Sequence, residues 1–525
     1  MNSRTGSTDS PRVTVAAAIG LALVLSAAVL GGCRAQGPHD ADGPGFTAVQ
    51  PQRDWSDAVI YFVLIDRFAD GDPANNLDHQ PGNPGGWHGG DLRGLREQLD
   101  EIASLGATAI WINPVQRQID VGLPVNPIPE AGVRDWFEHW GFHGYWIDDF
   151  YALEPRFGTE EELRLLVEAA HERGIKVLLD VVYNHAGYGA KYEVAPDYAG
   201  WIRSEQPDCE TDPLRCRVGG LPDFVTEKPA VAEHVLEANI GLARRTGLDG
   251  FRLDTVKHID HDFWQLHRAR TRAELGEDFF LLGEVWGGSA QVLDPWFEGD
   301  ELDAGFDFTF RGSCRDYIAS RMRTVAYSAY LDRRHRVRDG YHLAHYLSSH
   351  DEPLQLHEMG GDRERFRLCV ALQMTTLGIP VIYYGEEVAR QGSVWPMNRE
   401  DMPWGARAIP PGAGIERDEA MREWYQALIE LRRAHPALSR GNYTALHTDG
   451  DLLVFRKDDP EGDDAAIVAI NRGTTPAELQ VPAPAQWGAA IDGISQAPAV
   501  LVDGRLGVSI PALGARVYVA GDGQR

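Results

Sequence analysis

The chain has little cysteine, less positive charge than negative, and no internal repeats. Five cysteines in 525 residues rule out a disulfide-dense scaffold. A hydrophobic fraction of 43% instead supplies an ordinary, sizeable core. Fifty Lys and Arg against 78 Asp and Glu leave a net charge of −28. Such a chain has nothing with which to neutralise phosphates, so nucleic acid is excluded as a partner, and a well-solvated acidic surface is expected. No feature calls for an obligate protein partner. The absence of repeats leaves no solenoid. Length exceeds one ordinary domain but suits a barrel of about 250 residues with additions.

The chain has one long hydrophobic run, at the N-terminus. Arg4 and Arg12 precede a small, apolar stretch over 13–30, which ends Leu30-Gly31-Gly32-Cys33. It is short and Gly-rich for a stable transmembrane helix, and its layout is that of a secretory signal over 1–33. The ending resembles a bacterial lipobox, in which Cys33 is lipidated and becomes the first mature residue; an ordinary signal peptide is the alternative. Residues 34–53, rich in Gly, Pro, Asp and Gln, read as a flexible tether. The expected location is outside the cytoplasm, on a membrane held by the lipid anchor. Arg34 is not the Asp that marks inner-membrane retention, so the outer membrane or cell surface is favoured. In an exported chain Cys209 and Cys216, close together in a polar loop, are expected to pair. The state of Cys314 and Cys369 is left open.

Four short apolar strands end in polar residues suited to catalysis. Ile175 onward leads to Asp180-Val181-Val182-Tyr183-Asn184-His185. Gly250-Phe251-Arg252-Leu253-Asp254 continues into Thr255-Val256-Lys257-His258. Phe279 onward leads to Gly283-Glu284-Val285-Trp286, and Tyr346-Leu347 to Ser348-Ser349-His350-Asp351. Strand side chains alternate, so Arg252 and Asp254 share one face while Phe251 and Leu253 take the other. The guanidinium favours an ionised Asp254. Strand ends carrying chemistry in this order predict a parallel (β/α)8 barrel, whose reactive side chains gather at the C-terminal ends.

These stretches resemble the four motifs of the α-amylase family of glycoside hydrolases, and the resemblance runs from about Trp55 to the C-terminus. It implies hydrolysis with retention: Asp254 as nucleophile, Glu284 as proton donor, Asp351 on sugar hydroxyls. Glu284, with no neighbouring cation in its motif and two acids facing it, is expected to have a raised pKa. The substrate would be an α-glucan. Gly144-Tyr145-Trp146 resembles the family's aromatic platform, and His143, Tyr145, Trp146, His185, Arg252, Lys257, His258, His350 and Arg399 are expected to line the substrate site. Lys257-His258 points to an endo-acting α-1,4-glucan hydrolase of starch, glycogen and maltodextrins. A cyclomaltodextrinase, maltodextrin-trimming hydrolase or transglycosylase is the alternative, and a non-catalytic binding relative a remoter one. Two departures stand out: Ser349 where Asn is frequent, and Trp395 where an Asp usually precedes the Pro. The second suggests a grip by stacking.

Asp70-Gly71-Asp72-Pro73-Ala74-Asn75-Asn76 and later Gly89-Gly90-Asp91 suit either a hard, oxygen-preferring cation or an ordinary polar turn. The stretch is similar to a calcium loop of cyclodextrin glucanotransferases, which implies Asp70, Asp72, Asn75, Asn76, Gly89 and Asp91 as ligands. A second calcium is implied at Asn184, Asp223 and the His258 carbonyl. The expected domains are a catalytic barrel over 54–437, a small inserted lobe over 186–225 after the third strand, and a C-terminal β-sandwich over 438–525. Within the barrel, helices are expected over 92–105, 159–172 from a Thr159/Glu162 capping box, and 314–323, and a seventh strand over 345–350.

Overall fold

The computed structural model describes residues 55–521; the leader, Cys33 and the tether lie outside the described residues. Eight parallel strands close a barrel: β1 (Ile60–Val63), β2 (Ala109–Ile112), β3 (Lys176–Val181), β4 (Gly250–Leu253), β5 (Phe280–Gly283), β6 (Ala304–Phe306), β7 (His342–Tyr346) and β8 (Ile379–Tyr383). Each pairs with its sequence neighbours, and the ring shuts where Ile60 lies opposite Val381. The strands are buried on both faces, which explains why β1, β2 and β8 read as continuous apolar runs rather than alternating ones. Inside, Phe62 stacks on Trp111 at 3.6 Å, giving the ring an aromatic floor. Outside, Phe251 meets Phe279 edge-on at 4.7 Å, so β4 turns its greasy face to the helices and its ionic face inward.

The capping box forms as read: the Thr159 hydroxyl accepts from Glu162 N, and Glu162 returns a bond to Thr159 N, opening helix Glu160–Glu172. Three boundaries differ. The helix expected over 92–105 is two, Leu92–Glu97 and Leu99–Leu105, because Gln98 N–H closes a tight turn on the Leu95 carbonyl. The one expected over 314–323 is Thr309–Ile318. Asp307 Oδ1 accepts from Thr309 N and starts it early, while Arg472 binds the carbonyls of Tyr317 and Met322 and ends it. The seventh strand runs over His342–Tyr346 rather than 345–350. His345, which looked like the start of a polar strand end, is buried in mid-strand, hydrogen-bonded to Arg334 and the Gln373 carbonyl.

Segment 186–225 leaves and re-enters the barrel at one point: Ala186 N donates to the Pro222 carbonyl and Phe224 N to the Asn184 carbonyl. Beyond helix Glu419–Ala434 the chain turns to antiparallel strands, six in one sheet and three in another, with a core of Val454, Ile467, Leu506 and Tyr518 between them. No helix among the described residues is long and apolar enough to cross a membrane.

Candidate active site

Arg252 organises the mouth of the barrel. Asp180 on β3 is its register partner, so the two side chains lie side by side in the interior. Arg252 Nη1 donates to Asp180 at 2.9 and 3.1 Å and to Asp254 Oδ1 at 2.7 Å, while Nη2 reaches Glu284 Oε1 at 3.0 Å. One guanidinium thus carries three carboxylates from three consecutive strands. The sequence reading gave Glu284 no neighbouring cation; the barrel supplies one, because strand order is not visible in a single motif. Even so the Glu284 carboxyl is raised to about 8. Burial is the main cause, Arg252 opposes it, and Asp254 and Asp351 add to it.

Asp351 stands at the cavity wall with its side chain 32% exposed. Enclosure would raise its carboxyl, but His350 and Arg399 outweigh that and hold it below the usual range. Arg399 donates from Nε to the His350 carbonyl at 2.7 Å and from Nη2 to Asp351 Oδ1 at 3.1 Å. Ser349 keeps the turn: its hydroxyl accepts from Asp351 N at 3.3 Å. Thr255, directly after Asp254, has φ +50°, a left-handed conformation that is costly for a β-branched residue. That conformation aims Thr255 N–H at Glu284 Oε2, 3.0 Å away.

Asp254, Thr255, Glu284 and Asp351 line a cavity of about 660 Å³ that also holds His143, Tyr145, Trp146, His185, Lys257, His258, His350 and Arg399, and is bounded on the inserted segment by Cys209, Val218, Gly219 and Leu221; Arg252, expected on the lining, is buried behind the acids it holds. Tyr145 lies parallel to His350 at 5.5 Å and donates its hydroxyl to Asp180 at 2.7 Å. His143 Nδ1 accepts from Tyr145 N, so the neutral ring carries its proton on Nε2. Nε2 of His143 and Nε2 of His185 are both buried with no partner among the described residues, which suits them to hydroxyls of a ligand. Four contributors were absent from the predicted set: Asp180, Thr255, His139 and Trp286. Asp180 and Trp286 lie inside the motifs and could have been taken from alternation along β3 and from exposure after Glu284. Thr255 and His139 carried no sequence signal.

Cys209 and Cys216 are joined by a disulfide, and Cys314 and Cys369 are buried free thiols. The disulfide loop leans on the turn after β4: His258 Nδ1 donates to the Pro213 carbonyl at 2.7 Å.

Both expected cation sites have chemistry that fits a hard ion. In the first, Asp70 Oδ1, Asn75 Oδ1 and Asn76 Oδ1 are buried with no donor among the described residues. Gly89 packs beside them, where a Cβ would come within 2.7 Å of Asn76 Oδ1. Asp91 plays a different part: it accepts from the backbone N–H groups of Gly71, Asp72 and Gly94, so it shapes the loop and caps the helix behind it. The Asp72 side chain accepts from Ala74 N in the same loop. In the second site one terminal atom of the Asn184 amide lies 3.1 Å from the His258 carbonyl and 3.3 Å from Asp223 Oδ1. Either its NH2 donates to both, or three oxygens ring a common point. Those separations match oxygens sharing a shell at about 2.3–2.6 Å.

A closed β/α barrel with a carboxylate at the end of each of β4, β5 and β7 around one cavity defines the class, a barrel glycoside hydrolase. The family model "Alpha amylase, catalytic domain" matches residues 62–209 and 213–426, and the chain belongs to the α-amylase family. It is 30% identical over 456 residues to a cyclomaltodextrinase of Geobacillus thermopakistaniensis, across 82% of this chain and 71% of that protein. With neopullulanase 2 of Thermoactinomyces vulgaris it shares 31% over 461 residues, 82% of this chain and 72% of the other. A crystal structure of an Anoxybacillus α-amylase superposes with a TM-score of 0.78 at 28% identity, covering 90% of this chain and all (100%) of that one.

Proposed function

We propose that the protein is a retaining hydrolase of α-1,4-glucosidic bonds acting chiefly on short α-glucans, maltodextrins and cyclodextrins. The α-glucan hydrolase class stands; the finer choice moves from the endo-acting starch hydrolase expected from Lys257-His258 to the alternative, because a cyclomaltodextrinase and a neopullulanase are among the relatives of highest similarity. The observation that carries the chemistry is that Asp254 and Glu284 share Arg252 while Glu284 is kept protonated to about pH 8. Protonated Glu284 gives its proton to the glycosidic oxygen as Asp254 attacks the anomeric carbon; the bond to the leaving sugar breaks and a glycosyl ester on Asp254 forms. Glu284, now a carboxylate, takes a proton from water, which attacks the same carbon and frees Asp254. Thr255 N–H steadies Glu284 through both steps. Asp351, His185, His143 and His350 hold hydroxyls, and Tyr145 offers a ring face.

Calcium, when bound, supplies structural cross-linking. Asn184, Asp223 and the His258 carbonyl would tie the inserted segment to the turn after β4, and Asp70, Asn75 and Asn76 would fasten the loop after β1. Chelation should lower the melting temperature and calcium, but not magnesium, restore it; at calcium 100 times Kd the effect is about 2.7 kcal/mol. A melting curve indifferent to both removes the ion from this account. The reading of Cys33 as a lipid anchor belongs to the same proposal. Cys33→Ser should leave catalysis unchanged and move the protein from the membrane to a soluble fraction. The substrate assignment is tested by time-resolved product analysis on soluble starch, pullulan and β-cyclodextrin. Ring opening faster than starch cleavage supports it, and random internal cleavage of starch with inert cyclodextrin overturns it.

A further inference from the structure

His139 and Trp395 line the cavity together with Arg399, which holds Asp351. The hairpin of Leu123–Val125 and Phe137–His139 reaches over the barrel mouth from the loop after β2. Trp395 comes from the loop after β8, which is separated from β2 in the ring by β1 alone. The Trp395 ring lies 4.9 Å from His139 and 5.7 Å from Phe137. Ring contacts this close leave no gap through which a sugar could thread. The hairpin is itself braced from behind: Trp140 N donates to the Gly85 carbonyl and Asn83 Nδ2 to the Glu138 carbonyl. Trp136, 66% exposed, raises the rim beyond it.

This wall of rings stands at a short, countable distance from the catalytic groups. Successive rings connect them: His350 to Tyr145 at 5.5 Å, Tyr145 to His143 at 5.6 Å, His143 to His139 at 5.0 Å, then Trp395. Arg399, four residues after Trp395, holds Asp351, so the Trp395 loop is tied to the reacting end of the cleft. We infer that Trp395, backed by Phe137 and His139, is a specificity-determining residue that terminates the glucan on the Tyr145 side after a few glucosyl units and so sets the length of the fragment released from that side. The expected grip by stacking is the alternative that the test below separates from this reading, since Trp395 is half-buried and lines the cavity. This rests on the proposed α-1,4-glucan hydrolysis.

The test is the initial-phase fragment distribution from end-labelled maltoheptaose for wild type, Trp395→Ala and Phe137→Ala, with kcat and KM for each. Trp395→Ala should release fragments at least one glucosyl unit longer from the Tyr145 side, with KM for the heptaose unchanged or lower. Phe137→Ala, which only loosens the backing, should shift the distribution the same way by less, and serves if the first variant fails to fold. An unchanged distribution with a raised KM makes Trp395 a stacking platform and overturns the wall. An unchanged distribution with unchanged KM overturns it as well. If wild type cuts no maltoheptaose, the hydrolase reading has failed instead.

Discussion

Of the arginines enclosed in this barrel, two sit at opposite ends and differ in their partners. Arg252, at the C-terminal ends of the strands, is met by three carboxylates. Arg432, at the N-terminal ends, is met among the described residues by carbonyls: those of Met374, Thr376, Gly378, Leu438 and Ser56. Burial pushes its guanidinium down to about 9, with little acid nearby to oppose it. Arg252 is raised despite the same burial, because its acids outweigh it. Burial therefore does not mark function by itself. At the mouth one cation is shared by three acids from neighbouring strands, of which Glu284 is raised to about 8; at the base one gathers strand ends and helix ends into a single knot.

The contrast is broken most forcefully at Asp254. Asp254→Asn should lower kcat by about 10⁴-fold or more, the scale seen when one member of a catalytic unit is removed. The melting temperature should stay near wild type, since Arg252 keeps Asp180 and Glu284. A loss of melting temperature in step with activity would make the mouth structural too. Glu284 sharpens the comparison through pH. Activity needs its protonated form, so kcat/KM should fall as pH rises through about 8, and Asp351→Asn, which removes a charge that raises Glu284, should move the residual activity's alkaline limb down. Because the folded value lies above the unfolded one, the stability this group contributes is complete below pH ~4.3 and is lost as pH climbs through about 8. Glu284→Gln should flatten that decline in a pH series of melting curves.

At the base the expected effects are on stability alone. Arg432→Met leaves buried carbonyls without a donor and should cost about 3 kcal/mol or more, read as a lower denaturation midpoint with kcat of the folded fraction intact. The smallest effect should have the opposite sign. Lys457, in strand Leu452–Asp458, is wholly buried, and its Nζ has no partner among the described residues. Burial, helped by Arg432 and Arg334, depresses its pKa, so its contribution to stability is lost as pH falls from the ordinary lysine range. Lys457→Met should stabilise the protein at pH 7 by about 1–2 kcal/mol. Destabilisation there would mean that the amine has a partner after all.

Much of the mouth was legible because strand periodicity and local sequence carry it: Arg252 and Asp254 two residues apart must share a face, and polar residues after an apolar run must leave the core. What was not legible crosses strands. The Arg252 bond to Glu284 joins residues 32 apart along the chain through neighbouring strands β4 and β5, and the Trp395 contact with His139 joins loops from β8 and β2. The seventh strand was misplaced because a buried polar residue, His345, is satisfied by Arg334 and the Gln373 carbonyl, on the helices before and after the strand.

The sequence by itself determined the barrel and the order of its strands, through alternation, apolar runs and turn chemistry along a continuous backbone, and the three acids at its mouth through motifs that resemble those of the α-amylase family. Only the tertiary structure decided which acid keeps its proton, where the buried oxygens without donors converge, and where the cleft stops. Those depend on burial and on distances between side chains from separate strands and loops, and a Coulomb or hydrogen-bond energy is set by that separation in space, whatever the spacing along the chain.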